Sequence, residues 1–190
     1  GNILHVKLYA FNENAAFLFY RAVVDGLLKG ADGMVLDMRN NPGGYLEVAV
    51  HLAGWFLERG ATVVTEDFRS GDDFTFRASG NEALKDFPVV VLVNGGSASA
   101  SEILAGALRD VRGIKLVGEN TFGKGTVQEM VKLKDGSSLK ITIAKWLMPS
   151  GKAIEKNGLD PDFEVKVSEK DKEVDPQLEK AIEVLKAEIK

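Results

Sequence analysis

Pro88-Val89-Val90-Val91-Leu92-Val93-Asn94-Gly95-Gly96-Ser97-Ala98-Ser99-Ala100-Ser101-Glu102 decides the fold. Its first six residues are apolar and mostly β-branched, entered through a proline, which reads as a buried strand. Downstream, Ile103, Leu104, Ala107 and Leu108 recur at helical spacing as far as Arg109 and Arg112. A serine triplet spaced by alanines therefore marks a strand-to-helix junction. Serine there lies close to unsatisfied backbone N–H groups and to the positive end of the helix dipole. Taken alone, that is the pattern of a helix N-cap. Gly95 and Gly96 add room for the close approach of a second backbone.

Working outward, the N-terminal part reads as β-α-β. Ile3 to Ala10 alternates as a strand, and Asn12 or Asn14 caps a helix from Ala15 to about Leu28. Phe17, Leu18, Ala22, Val23 and Leu27 are expected on its buried stripe. Met34 to Met38 is a short buried strand, and Arg39-Asn40-Asn41-Pro42-Gly43-Gly44 is a loop dense in turn formers. An amphipathic helix with Leu46, Val50, Ala53, Gly54 and Leu57 follows, then a strand from Ala61 and a hairpin arm at Phe74 to Arg77. Strands alternating with helices predict an α/β layered domain with a largely parallel sheet. Ligands in such sheets bind beyond the carboxyl ends of the strands. Two loops, Arg39–Gly44 and Gly95–Ser99, directly follow strand ends.

Beyond the strand at Gly113 to Gly118 the pattern changes. Thr126 to Leu133 and Ser138 to Trp146 alternate around Lys134-Asp135-Gly136-Ser137, a β-hairpin signature. Lys152 to Asp162 is irregular, and Phe163 to Val167 is an edge-strand candidate. Residues 1–167 are expected to form the core, followed over 168–190 by a charged linker and an amphipathic helix capped by Asp175, with Leu178, Ile182 and Leu185 on its apolar stripe.

Composition narrows the function classes. With 190 residues, 45% hydrophobic and 27% charged, the chain is long enough for a sizeable core. A net charge of −4 supplies no basic field for nucleic acid, and no apolar run approaches a membrane span. Cysteine is absent, which removes thiol nucleophiles and thiolate metal sites; no cofactor or metal is expected. His5 falls in the first strand and His51 in a helix, so both read as structural residues and not as the base of a Ser-His pair.

Gly118-Glu119-Asn120-Thr121-Phe122-Gly123-Lys124-Gly125 begins like a phosphate-binding loop. The residue after the lysine is Gly125 where Mg²⁺ needs Ser or Thr, and Thr126 onward alternates as a strand where a helix is required. Both departures count against a nucleotide site. Flanking glycines instead let the backbone turn sharply and aim one long side chain.

Together, Asn94 to Ile103, Gly118 to Gly125, Asp37 to Gly44, and Pro149-Ser150-Gly151 with Gly158 to Asp162 strongly resemble the C-terminal processing (tail-specific) peptidases, in order and over nearly the whole chain. The resemblance implies a crotonase-like (ClpP/crotonase) α/β layered core, with a C-terminal β-hairpin region and a terminal helix. It implies a serine endopeptidase that cleaves protein substrates near their C-termini. Ser99 would be the nucleophile, Lys124 the general base and Gln128 the residue that positions the lysine. The N–H groups of Gly44 and Ala100 would form the oxyanion hole, and Asp110 matches an acidic position of structural character. Protein or peptide substrates, a PDZ domain in the full-length protein, an extracytoplasmic location and a homodimer through the termini are further expectations of the resemblance.

The chemistry agrees with those assignments. A serine hydroxyl needs an adjacent base. An ammonium cannot accept a proton, so the lysine must be desolvated, and Phe122, Val127 and Ile103 are expected to enclose it. Each oxyanion donor is worth about 2.7–4 kcal/mol in measured cases. The rival is a non-catalytic ligand- or peptide-binding protein on the same core, which would need none of Ser99, Lys124 and Gln128. A thioester-handling relative lacks any nucleotide-binding handle.

Overall fold

A computed structural model describes residues 2–154, 156, 158–167 and 174–189. Five parallel strands form the central sheet in the order β1-β2-β5-β6-β9: β1 Asn2–Lys7, β2 Ala31–Asp37, β5 Val89–Val93, β6 Lys115–Gly118 and β9 Phe163–Glu164. Helices α1 (Ala15–Leu28), α2 (Leu46–Phe56) and α3 (Ala100–Arg112) make the crossovers. Side chains alternate strictly across the sheet. Met34, Leu36, Val89, Val91 and Leu116 join the large core with α1, α2 and α3, whereas Val35, Val90, Leu92 and Val117 face the other way.

That second face is covered by α4 (Pro176–Glu188), whose Ala181 and Leu185 are fully buried against it. Burying a leucine such as Leu185 contributes about 1.5–3 kcal/mol, and the Ala181 methyl about 0.8 kcal/mol. Asp175 caps the helix by accepting the Leu178 N–H at 3.0 Å. Most of the charged linker expected before it, residues 168–173, lies outside the described residues, as do 155 and 157 in the irregular stretch.

Strands β3 (Thr62–Phe68), β4 (Phe74–Arg77), β7 (Thr126–Lys132) and β8 (Ser138–Leu147) form a separate antiparallel sheet in the order β4-β3-β8-β7. Local turns account for β3–β4 and β7–β8. The β3–β8 pairing that joins them sets Thr65 opposite Leu147 and carries no local sequence signal.

The α1 stripe differs from the sequence expectation. Ala15, Phe19, Val23 and Gly26 are buried, while Phe17, Leu18 and Leu27 are exposed. Ala15 to Tyr20 is apolar on every side of the helix, so periodicity alone does not select a face. Gly26 decides it: a Cβ there would press within 2.6 Å of Leu4, which puts the glycine side against the sheet.

Candidate active site

Three loops leave the carboxyl ends of adjacent strands: 38–45 after β2, 94–99 after β5 and 119–125 after β6. The parallel order brings together segments that are distant in sequence. Buried polar side chains then stitch the loops to one another.

Asn41 is the first stitch and is fully buried. Its Nδ2 donates to the Leu8 carbonyl at 2.7 Å, and its Oδ1 accepts the Gly43 N–H at 2.9 Å. Its own carbonyl accepts from the Ala98 N–H at 3.0 Å and from Ser101 Oγ at 2.9 Å. Ser97 Oγ accepts the Asn94 N–H at 3.0 Å and donates to the Met38 carbonyl at 2.8 Å. Ser97 and Ser101 are therefore consumed in tying the loops together. Ser99 is the remaining member of the triplet, half-buried at the N-cap of α3.

Ser99 adopts φ 57° and ψ −116°, a backbone region that costs a non-glycine residue about 1–3 kcal/mol. Such strain persists only when the surroundings over-determine it. Here Ser97, Ser101 and Glu102, all buried, flank the residue and fix it. Gly43 packs against it so closely that a Cβ would lie 2.9 Å from Ser99 Cβ and 3.1 Å from Ala100 N.

Gly44 is bridged to Phe11 through its neighbours: the Gly43 carbonyl accepts the Phe11 N–H at 2.9 Å and the Tyr45 N–H donates to the Phe11 carbonyl at 2.8 Å. Alternation along an extended segment then turns the Gly44 N–H away from Phe11. Among the described residues neither the Gly44 nor the Ala100 N–H has an acceptor.

Glu102 is the second stitch, and sequence reasoning missed it. Its carboxylate is fully buried and accepts from Thr121 Oγ1 and from the N–H groups of Gly123 (2.7 Å), Lys124 (2.9 Å) and Ser99 (2.9 Å). The Ser99 and Lys124 N–H groups share one oxygen, Oε2. Four donors and no acceptor face the group, the pattern an ionised carboxylate satisfies. The available signal was an acid three residues after the cap, alone in the apolar run Ala100 to Leu108 apart from Ser101.

The Lys124 side chain is exposed, and among the described residues its Nζ makes no hydrogen bond to Ser99 Oγ or Gln128. The expected apolar enclosure is not formed. Phe122 is 62% exposed, Val127 half-buried, and Ile103 belongs to the core beneath. Gln128 is exposed on β7, paired with Thr142. His51 is exposed, and His5 bonds Asp37 at 3.3 Å, so neither joins Ser99. Asp110 accepts from the Ser150 N–H and Oγ, a structural contact. Among the described residues no group of three or more His, Cys, Asp or Glu is placed to hold a metal ion, and no helix is long and apolar enough to cross a membrane.

Residues 2–165 match the model of peptidase family S41. The chain belongs to that family. It is 40% identical to the carboxy-terminal processing protease CtpA of Bacillus subtilis over 161 residues, which is 85% of this chain and 34% of that protein. Against the carboxyl-terminal-processing protease of Synechocystis it is 45% identical over 162 residues, 83% of this chain and 36% of that protein. This S41 chain thus spans about a third of the length of those relatives. It superposes on the photosystem II D1 C-terminal processing protease with a TM-score of 0.79 at 40% identity, covering 86% of this chain and 42% of that one.

Proposed function

We propose that this S41 chain carries the catalytic core of a serine endopeptidase of the C-terminal processing type, acting through a Ser99–Lys124 dyad on a crotonase-like fold. The observation that carries the reading is the single Glu102 oxygen that accepts from both the Ser99 and the Lys124 N–H. It holds the backbones of nucleophile and base together whatever the lysine side chain does. The exposed lysine adds a condition: substrate or an adjoining domain must cover it, because desolvation is what disfavours the ammonium.

In the proposed reaction neutral Lys124 takes the Ser99 proton as Oγ attacks the scissile carbonyl. The Gly44 and Ala100 N–H groups stabilise the oxyanion. As the C–N bond breaks, the Lys124 ammonium returns its proton to the leaving amine. Water, deprotonated by Lys124, then attacks the acyl ester, and Lys124 reprotonates Ser99. Gln128 orients the lysine once the site is covered. Gly43 and Tyr45 bond Phe11 on one side, and among the described residues the Gly44 N–H and carbonyl between them have no backbone partner, so an extended peptide can pair there.

A PDZ domain in the full-length protein, assembly as a dimer and an extracytoplasmic location belong to the same proposal; the Tetradesmus obliquus relative, 41% identical, is a chloroplastic C-terminal processing peptidase. The test is cleavage of an unfolded protein by the full-length enzyme and by Ser99→Ala and Lys124→Ala. Both variants should fold and be inactive. Wild-type cleavage by either overturns the dyad, and peptide binding without cleavage by the unaltered protein favours the non-catalytic reading.

A further inference from the structure

Arg39 is the residue that joins β2 to the glycine loop, and its guanidinium is shared between two carboxylates. Nε donates to Asp37 Oδ1 at 2.9 Å and Nη2 to Asp37 Oδ2 at 2.7 Å. On its other side Nη1 and Nη2 each donate to an Asp175 oxygen at 2.8 Å, and Nη1 reaches Gln177 Oε1 at 3.1 Å. The Arg39 side chain is only 11% exposed and Asp37 is fully buried. Gln177, also buried, donates Nε2 to the Val165 carbonyl at 2.8 Å. Asp175 and Gln177 come from the start of α4, beyond residue 165 where the family match ends.

We infer that Asp175 is a positioning residue for the glycine loop, acting through Arg39 on the segment that carries the Gly44 N–H. The inference rests on the peptidase reading of Gly44. The Arg39 side chain and its main-chain N–H are both fixed on Asp37, the latter at 3.0 Å. Asn40, at φ 59° and tied to Asn94 by its N–H and its side chain, and Asn41 follow that residue along the loop. A planar guanidinium with a bidentate carboxylate on each side has one orientation. Without Asp175, two of the five guanidinium N–H donors lose their charged partner in a nearly buried setting, and Asp37 alone is left to hold the side chain against its pull towards water. The start of the loop is then held by the Arg39 N–H and by Asn94 but no longer by a locked guanidinium.

Asp175 has two jobs, and they separate by substitution. Asp175→Ser keeps a capping oxygen for α4 but is too short to span both Arg39 nitrogens. Leu185→Ala weakens the docking of α4 without touching Arg39. In the full-length enzyme, Asp175→Ser should raise amide exchange over residues 39–45 about tenfold while leaving β5 unchanged. It should lower kcat about tenfold with KM within about twofold, because the oxyanion donor acts in the transition state. Leu185→Ala should lower Tm yet leave kcat within about twofold. Unchanged exchange, unchanged kcat, or the same kcat loss in Leu185→Ala overturns the inference. If Ser99→Ala cleaves like the unaltered enzyme, it is the peptidase reading that fails, and the exchange measurement alone then decides whether Asp175 holds the loop.

Discussion

Replacing Glu102 with Gln is the most informative single change in the fold. The buried carboxylate accepts four hydrogen bonds, from Ser99, Thr121, Gly123 and Lys124. Gln is nearly isosteric, but its amide nitrogen donates only. With the amide nitrogen at the Oε2 position the Ser99 and Lys124 N–H groups lose their acceptor; at the Oε1 position the Gly123 N–H loses it, while the Thr121 hydroxyl turns to accept. A hydrogen bond to a charged group is worth about 1.5–3 kcal/mol, so even the better orientation loses at least about 1.5–3 kcal/mol. For a chain of this size that lowers Tm by at least several degrees. The loss is localised as well, since all four donors lie at the start of α3 or in the loop after β6. Urea unfolding gives the magnitude, and hydrogen exchange over residues 119–125 and 97–103 gives the location. A variant that unfolds within 1 kcal/mol of the unaltered protein, with protected amides in both segments, would refute the view that Glu102 joins the two loops.

Other consequences are simpler to measure. Gly43→Ala places a Cβ 2.7 Å from the Ala98 carbonyl oxygen at a backbone φ of +97°, so cleavage activity should fall at least tenfold; wild-type activity contradicts the close packing of the glycine loop on Ser99. Acid should unlock α4. Burial pushes the Asp37 carboxyl up, but its bonds to Arg39 and the Arg39 charge outweigh this and hold it below its ordinary value. Asp175 is likewise held down by its hydrogen bonds to Arg39, against a smaller effect of burial. Carboxylates depressed in the folded state add stability that is complete above about pH 4 and is lost as pH falls through their folded-state values. Urea midpoints between pH 5 and pH 2 should fall less in Asp175→Asn than in the unaltered protein, and parallel curves contradict the linkage.

Legibility in the sequence followed the range of the interactions involved. The strand-turn-helix from Val89 to Arg112 rests on local periodicity and lies within a residue or two of where the pattern puts it, while the elements around it miss by up to three: β1 ends at Lys7 and not Ala10, β2 begins at Ala31 and not Met34, and β9 ends at Glu164 and not Val167. The stripe on α1 was ambiguous because its first turns are apolar all round, so tertiary packing through Gly26 made the choice. Loops that end strands were readable because glycines and serines mark them. The polar residues that join those loops were not. Asn41 looks like one turn former among several, and Glu102 like a capping acid, until the parallel sheet brings the loops side by side. Arg39 and Asp175 stand 136 positions apart, and nothing local links them.

Trapping the acyl-enzyme decides whether Ser99 Oγ attacks the peptide carbonyl. Rapid acid quench of the full-length enzyme with an excess of peptide ester substrate, followed by proteolysis and mass spectrometry, locates any adduct. A mass increase equal to the acyl fragment is expected on the peptide containing Ser99 and is absent in Ser99→Ala. Product formed at wild-type rate by Ser99→Ala, or an adduct on any other side chain, would contradict attack by Ser99.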